Sequence, residues 1–141
     1  MIAYFDTSAV VPLIINEPAT GVCSRIWNES SRVVSVRLLY PEGRAALARA
    51  HRMNRVTRKQ LTAAVAELDA IVEQVDHLEV TPELALTAGA LAEQHGLRGY
   101  DAVHLAAALA VAGDDLVLVT GDVDLSTAAS DLGITVSATG T

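Results

Sequence analysis

Apolar runs of strand length alternate with stretches of helical spacing along the whole chain. Residues 2–5 (IAYF) form a short apolar run closed by Asp6, and Thr7 and Ser8 behind it can cap a helix through SAVVPLII. Glu17 and Pro18 open a second helical stretch to about Trp27, and the β-branched VVSV at 33–36 has strand length. Pro41 fits only in a helix's first turn, so the next helix starts near Leu39 and runs through Arg52, with Glu42 in its opening turn. From Thr57, a plausible cap, to Val75, apolar positions such as Leu61, Ala64, Leu68 and Val72 keep helical spacing, which makes a helical hairpin with the preceding segment.

HLEV at 77–80 predicts a short strand, and Thr81 with Pro82 starts a helix to Gln94 that His95 and Gly96 stop. Asp101 opens the helical segment DAVHLAAALAVAG, ended by Gly113. DLVLVT at 115–120 is the clearest buried strand, followed by the acidic turn GDVD, a short helix LSTAASDLG and a last strand ITVS. Strands alternating with helices imply βαβ crossovers, hence an α/β fold with a parallel sheet covered on both faces. No linker or internal repeat divides residues 1–141, so a single domain is expected.

Composition sharpens this. Apolar residues make up 51% of the chain but aromatics 4%, so Ala, Val, Leu and Ile must build the core. The lone Cys23 excludes an internal disulfide and a Cys/His metal motif, which fits a reducing setting. The N-terminal run carries Asp6 and no basic leader, and no window reaches about 18 uncharged apolar residues, so a soluble, cytoplasmic protein with no membrane association is expected.

Net charge is −7, which by itself argues against a polyanionic partner. The distribution argues the other way. Nine of the ten basic residues precede position 60, and from Arg37 to Lys59 the only acid is Glu42; beyond position 60 stand thirteen acids and one base, Arg98. One positive flank, with Arg49, Arg52 and Arg55 as candidate RNA contacts, therefore lies beside an acidic remainder. A solvated helix face is the plain alternative.

Two acids stand at the carboxyl ends of predicted strands, where open parallel sheets bind ligands: Asp6 after IAYF and Asp122 after DLVLVT. Asp101 opens a helix, and Glu42 lies in a first turn flanked by Leu38, Leu39, Ala45 and Ala46, where a carboxylate must be paired, protonated or bound to metal. Oxygen-only ligands without cysteine or a His pair select Mg²⁺ or Mn²⁺ over zinc. Such a cluster can activate water for in-line attack on a phosphodiester. Each acid has a structural alternative: Asp6 and Asp101 as helix caps, Asp122 or Asp124 as turn residues, Glu42 as a partner of Arg98 or Arg44. His104, one turn after Asp101, reads as a satisfied core residue.

These residues match a known pattern. The chain resembles the PIN-domain ribonucleases, most closely the VapC-type toxins of bacterial toxin–antitoxin pairs. FDTSAVVPLIINEP is similar to the first motif, with Asp6 and its supporting hydroxyl Ser8; YPEGRAAL to the second, with Glu42; RGYDAVHLAAAL to the third, with Asp101; and LVTGDVDLSTAASDLGI to the fourth, whose acid follows Thr120 by two positions. The resemblance implies a three-layer α/β/α sandwich with about five parallel strands and Mg²⁺-dependent endonucleolytic cleavage of RNA, Mn²⁺ substituting. Asp6, Glu42, Asp101 and Asp122 would be catalytic, with Asp6, Asp101 and Asp122 holding metal, Asp124 auxiliary, and Ser8 and Thr120 supporting. It further implies an antitoxin whose C-terminal tail occupies the groove, and a homodimer. One departure is Gly121, where the family often has a bulky or basic residue. Two other classes compete: a silent binding scaffold on the same fold, and an Asp-based phosphotransferase or receiver domain. The latter wants a lysine near the phosphoryl group, and the only lysine is Lys59, on a predicted surface helix.

Overall fold

The computed structural model describes residues 1–140. One sheet of five parallel strands is formed by β1 (Ile2–Phe5), β2 (Arg32–Val36), β3 (Asp76–Leu78), β4 (Leu116–Thr120) and β5 (Thr135–Ala138), in the order β3-β2-β1-β4-β5. Helices α1 (Thr7–Ile14) and α2 (Thr20–Glu29) connect β1 to β2, and α3 (Leu39–Arg52) and α4 (Arg58–Glu73) connect β2 to β3. The chain then crosses through α5 (Pro82–His95) and α6 (Gly99–Ala110) to β4, and α7 (Val123–Asp131) leads to β5.

Strand side chains alternate between two cores. Ala3, Phe5, Val33 and Val119 pack with α1 to α4, whereas Tyr4, Val34, Val36 and Leu118 pack with α5 to α7. The result is the expected three-layer α/β/α sandwich. Register holds the central strands level: Tyr4 pairs with Val34 on one side and Leu118 on the other. Because the chain winds outward in opposite directions from β1 and β4, the carboxyl ends of these two neighbours form the topological switch point, where α/β sheets place ligands.

Local signals explain most helix ends. Thr57 Oγ1 accepts from the Gln60 amide at 3.1 Å while Gln60 Oε1 accepts from the Thr57 amide at 2.8 Å, a reciprocal cap on α4. Thr81 caps α5, and Gly96 ends it at φ 65°, a left-handed conformation that suits glycine. Several expectations shift, with α2 starting at Thr20 rather than at Glu17 and Pro18, and α7 at Val123 rather than Leu125. The cap of α1 is Asp6 itself, whose side chain accepts from the Ala9 amide. β3 is displaced from residues 77–80 to Asp76–Leu78 by its pairing with Val34 to Val36. α6 begins at Gly99 with Arg98 as its N-cap, so Asp101 lies inside the first turn and is not the cap. Among the described residues no helix is long and apolar enough to cross a membrane.

Candidate active site

Asp6 follows β1 directly and is 4% exposed, at the switch point beside the end of β4. Three neutral donors serve its carboxylate: Ser8 Oγ at 2.6 Å and the Ala9 amide at 3.1 Å to Oδ1, and Thr120 Oγ1 at 2.5 Å to Oδ2. Ser8 Oγ in turn accepts from the Gly121 amide at 2.7 Å, and Thr120 Oγ1 accepts from the Asp122 amide at 3.0 Å. The two hydroxyls thus tie the turn after β1 to the turn after β4. A Cβ at Gly121 would make only ordinary contacts with Ser8 and Thr139 at 3.4 Å and beyond, so packing there does not demand glycine.

Glu42 reaches over the sheet edge from α3 to α6. Its Oε1 accepts from Thr7 Oγ1 at 3.1 Å and meets His104 Nε2 at 2.7 Å, while His104 Nδ1 meets the Tyr4 hydroxyl at 2.9 Å. His104 is a satisfied buried residue, as expected, and its partner is a site acid. Neither Arg98 nor Arg44 pairs with Glu42: Arg44 bonds Tyr40, and Arg98 serves the other two acids.

Arg98 Nε donates to Asp101 Oδ2 at 3.1 Å, and a terminal nitrogen lies 3.6 Å from Asp122 Oδ2. Asp122 also caps α7, its Oδ1 accepting from the Leu125 amide at 2.8 Å. Asp124 is exposed, whereas Asp122 lies within reach of Arg98 and its charge acts on Asp101.

One field links the four acids. Burial pushes the Asp6 carboxyl up, opposed by the His104 charge and the hydrogen bonds from Ser8, Thr120 and Ala9. Asp101 is pushed up by burial and by the charge of Asp122, opposed by Arg98 and His104. Burial disfavours the His104 imidazolium, but the Glu42 hydrogen bond and the charges of Asp6, Glu42 and Asp101 outweigh it, and its pKa rises. Tyr4 is driven well above its ordinary value, chiefly by burial.

Among the described residues, no group of three or more His, Cys, Asp or Glu side chains is arranged to hold a metal ion. Asp6, Asp101 and Asp122 are therefore not assembled into one chelating set, because neutral donors occupy both Asp6 oxygens and Arg98 stands between the other two acids. The donor chemistry still fits a hard cation. Asp101 and Asp122 form a mutually repelling oxygen pair, and magnesium is commonly held by one or two carboxylates with waters and phosphate oxygens.

The basic flank is partly neutralised. Arg32 and Arg37 pair across to Asp76 and Glu79 beside β3, and Arg55 pairs with Glu17 at 3.2 Å, whereas Arg49 and Arg52 stand exposed on the last turns of α3. Sequence reasoning missed Thr7, His104, Tyr4 and Arg98 as site supports. Only the spacing of Arg98, Asp101 and His104 along one helix face gave a signal.

Comparison with known proteins places this geometry. A family model described as the PIN domain matches residues 3–130. Ribonuclease VapC49 of Mycobacterium tuberculosis is 40% identical over 136 residues, 96% of this chain and 94% of its own. The crystal structure of Mycobacterium tuberculosis VapC20, described as a sarcin–ricin loop cleaving toxin, aligns with a TM-score of 0.68 at 21% identity, over 89% of this chain and 94% of that one. VapBC2 of Rickettsia felis, crystallised with a promoter DNA fragment, aligns with a TM-score of 0.65 at 15% identity, over 98% of both chains. At such identities these two structures attest the fold.

Proposed function

The chain belongs to the PIN-domain family, and on that premise we propose that it is a metal-dependent endoribonuclease acting as the toxin of a toxin–antitoxin pair. The observation that carries this reading is the gathering of Asp6, Glu42, Asp101 and Asp122 around His104 and Arg98 at the β1/β4 switch point. The ribonuclease name of its 40% identical relative supports RNA as substrate.

Asp101 and Asp122 are the residues to hold Mg²⁺ or Mn²⁺, with Asp6 behind them at the same edge. When bound there, the cation supplies Lewis-acid activation of water and neutralises charge developing on the phosphate. Glu42 has one oxygen committed to His104 and Thr7, which leaves Oε2 to accept a proton from the attacking water. Ser8 and Thr120 fix Asp6 in a single orientation, so no reorganisation is needed when charge develops nearby. Arg49 and Arg52, about two to three turns along α3 from Glu42, offer phosphate contacts to RNA running down that helix. None of the four acids lines the concavity of about 540 Å³ by Leu78, Leu84 and Leu109.

The antitoxin partner follows from the family type, with its C-terminal tail on the acidic edge, and a homodimer working in the cytoplasm completes the reading. Purified protein is expected to cut RNA with Mg²⁺ or Mn²⁺, to stop on chelation, and to lose cleavage in Asp6→Asn with the circular dichroism spectrum kept. Undiminished cleavage by Asp6→Asn overturns the assignment, and no cleavage by any form returns the chain to the silent-scaffold reading.

A further inference from the structure

Arg98 is the only basic residue after position 60, and the fold sets it on the two acids assigned to the cation. Its fork spans both: Nε at 3.1 Å from Asp101 Oδ2 and a terminal nitrogen at 3.6 Å from Asp122 Oδ2. The other two acids are served differently, Asp6 by neutral donors and Glu42 by His104 and Thr7. A guanidinium and a divalent ion at this pair would be held by the same two carboxylates and repel each other there, so they compete.

We propose that Arg98 is a displaceable internal counter-ion of the Asp101–Asp122 pair, occupying it in the metal-free protein and leaving when a divalent cation binds, and thereby setting the cation concentration at which the site loads. The inference rests on the metal-dependent reading above. Two features make the arginine displaceable. Its side chain is 66% exposed, so the bonds it gives up are solvent-screened ones of low individual strength. Its guanidinium carbon also lies 4.9 Å from the centroid of the Tyr100 ring, a half-exposed aromatic face that keeps it anchored at the rim after it releases the acids.

The planar fork matters, because a lysine ammonium is a point charge that cannot bridge both acids in the same way. Arg98→Gln removes the competitor, and Arg98→Lys weakens it. The test is a direct Mn²⁺ binding titration, by calorimetry or by the free-ion EPR signal, on wild type and both variants at one pH and ionic strength. Arg98→Gln is expected to bind Mn²⁺ roughly fivefold tighter than wild type, the scale of one exposed charge pair, with Arg98→Lys between them. In a parallel melting series, Mn²⁺ should begin to raise the melting temperature of Arg98→Gln at proportionally lower concentration. Equal or weaker Mn²⁺ binding by folded Arg98→Gln overturns the counter-ion role while leaving the metal reading intact. No saturable Mn²⁺ binding by any of the three proteins removes the metal reading, and the inference with it.

Discussion

A carboxylate almost out of water needs compensation, and at Asp6 it comes from two hydroxyls and an amide instead of a cation. Those donors lower its pKa, yet burial outweighs them and the net shift is upward, so the ionised form is held at a cost. Asparagine at this position keeps an acceptor for Ser8 and Ala9 and turns its amide toward Thr120 Oγ1, which can accept, while the desolvated charge disappears. Asp6→Asn is therefore expected to melt at or a few degrees above wild type near neutral pH, about 2–4 °C for each kcal/mol recovered in a chain of this size. A fall of more than about 5 °C on the same scale, read in a thermal melt without metal, would mean that the charge itself holds the turn. Because the same substitution is expected to abolish cleavage, stability and activity should separate at this one residue.

Helices show the same division between what neighbours in sequence decide and what neighbours in space decide. The start of α4 is local: Thr57 and Gln60 complete each other's hydrogen bonds, so Thr57→Ala should cost about 1 kcal/mol, seen as a lower urea midpoint with cleavage unchanged. Such caps, with Pro41 and Gly96, made α3, α4 and α5 legible from the chain alone. β3 was legible only as a strand, since its limits are set by which residues of β2 it meets, Asp76 opposite Val34 and Leu78 opposite Val36. Asp101 looked like a cap because an acid before an apolar run usually is one; α6 starts earlier, and the carboxylate is released to face Asp122 and Arg98. Strand ends and first turns thus announced where the acids would gather. Their supports were hidden, because the pairing of Glu42 with His104 spans 62 positions and depends on α3 and α6 covering opposite faces of the sheet.

At the scale of the whole molecule, gathering four acids at one edge of a chain of net charge −7 makes stability depend on protons in an uncommon direction. Folded Asp6 and Asp101 keep their protons above the ordinary value of 3.8, and folded His104 keeps its proton above 6.5. Over each of these intervals the native state binds more protons than the unfolded chain, so stability falls as pH rises. The His104 contribution is fully present below 6.5 and is lost as pH climbs through its raised folded value; the carboxyl penalties set in from 3.8 upward through theirs. Glu79 shifts the opposite way beside Arg37, but both groups are fully exposed and their pair is screened, so it does not offset the buried groups. The urea midpoint of metal-free protein should accordingly decline from about pH 5 to about pH 8, the reverse of the usual acid-labile profile. Added Mg²⁺ should flatten the decline, since a divalent charge beside Asp101 and Asp122 stabilises the ionised carboxylates that the higher pH creates. A metal-free midpoint that rises steadily over this range would contradict the whole electrostatic account, because three buried groups all push the same way and the opposing shift at exposed Glu79 is screened.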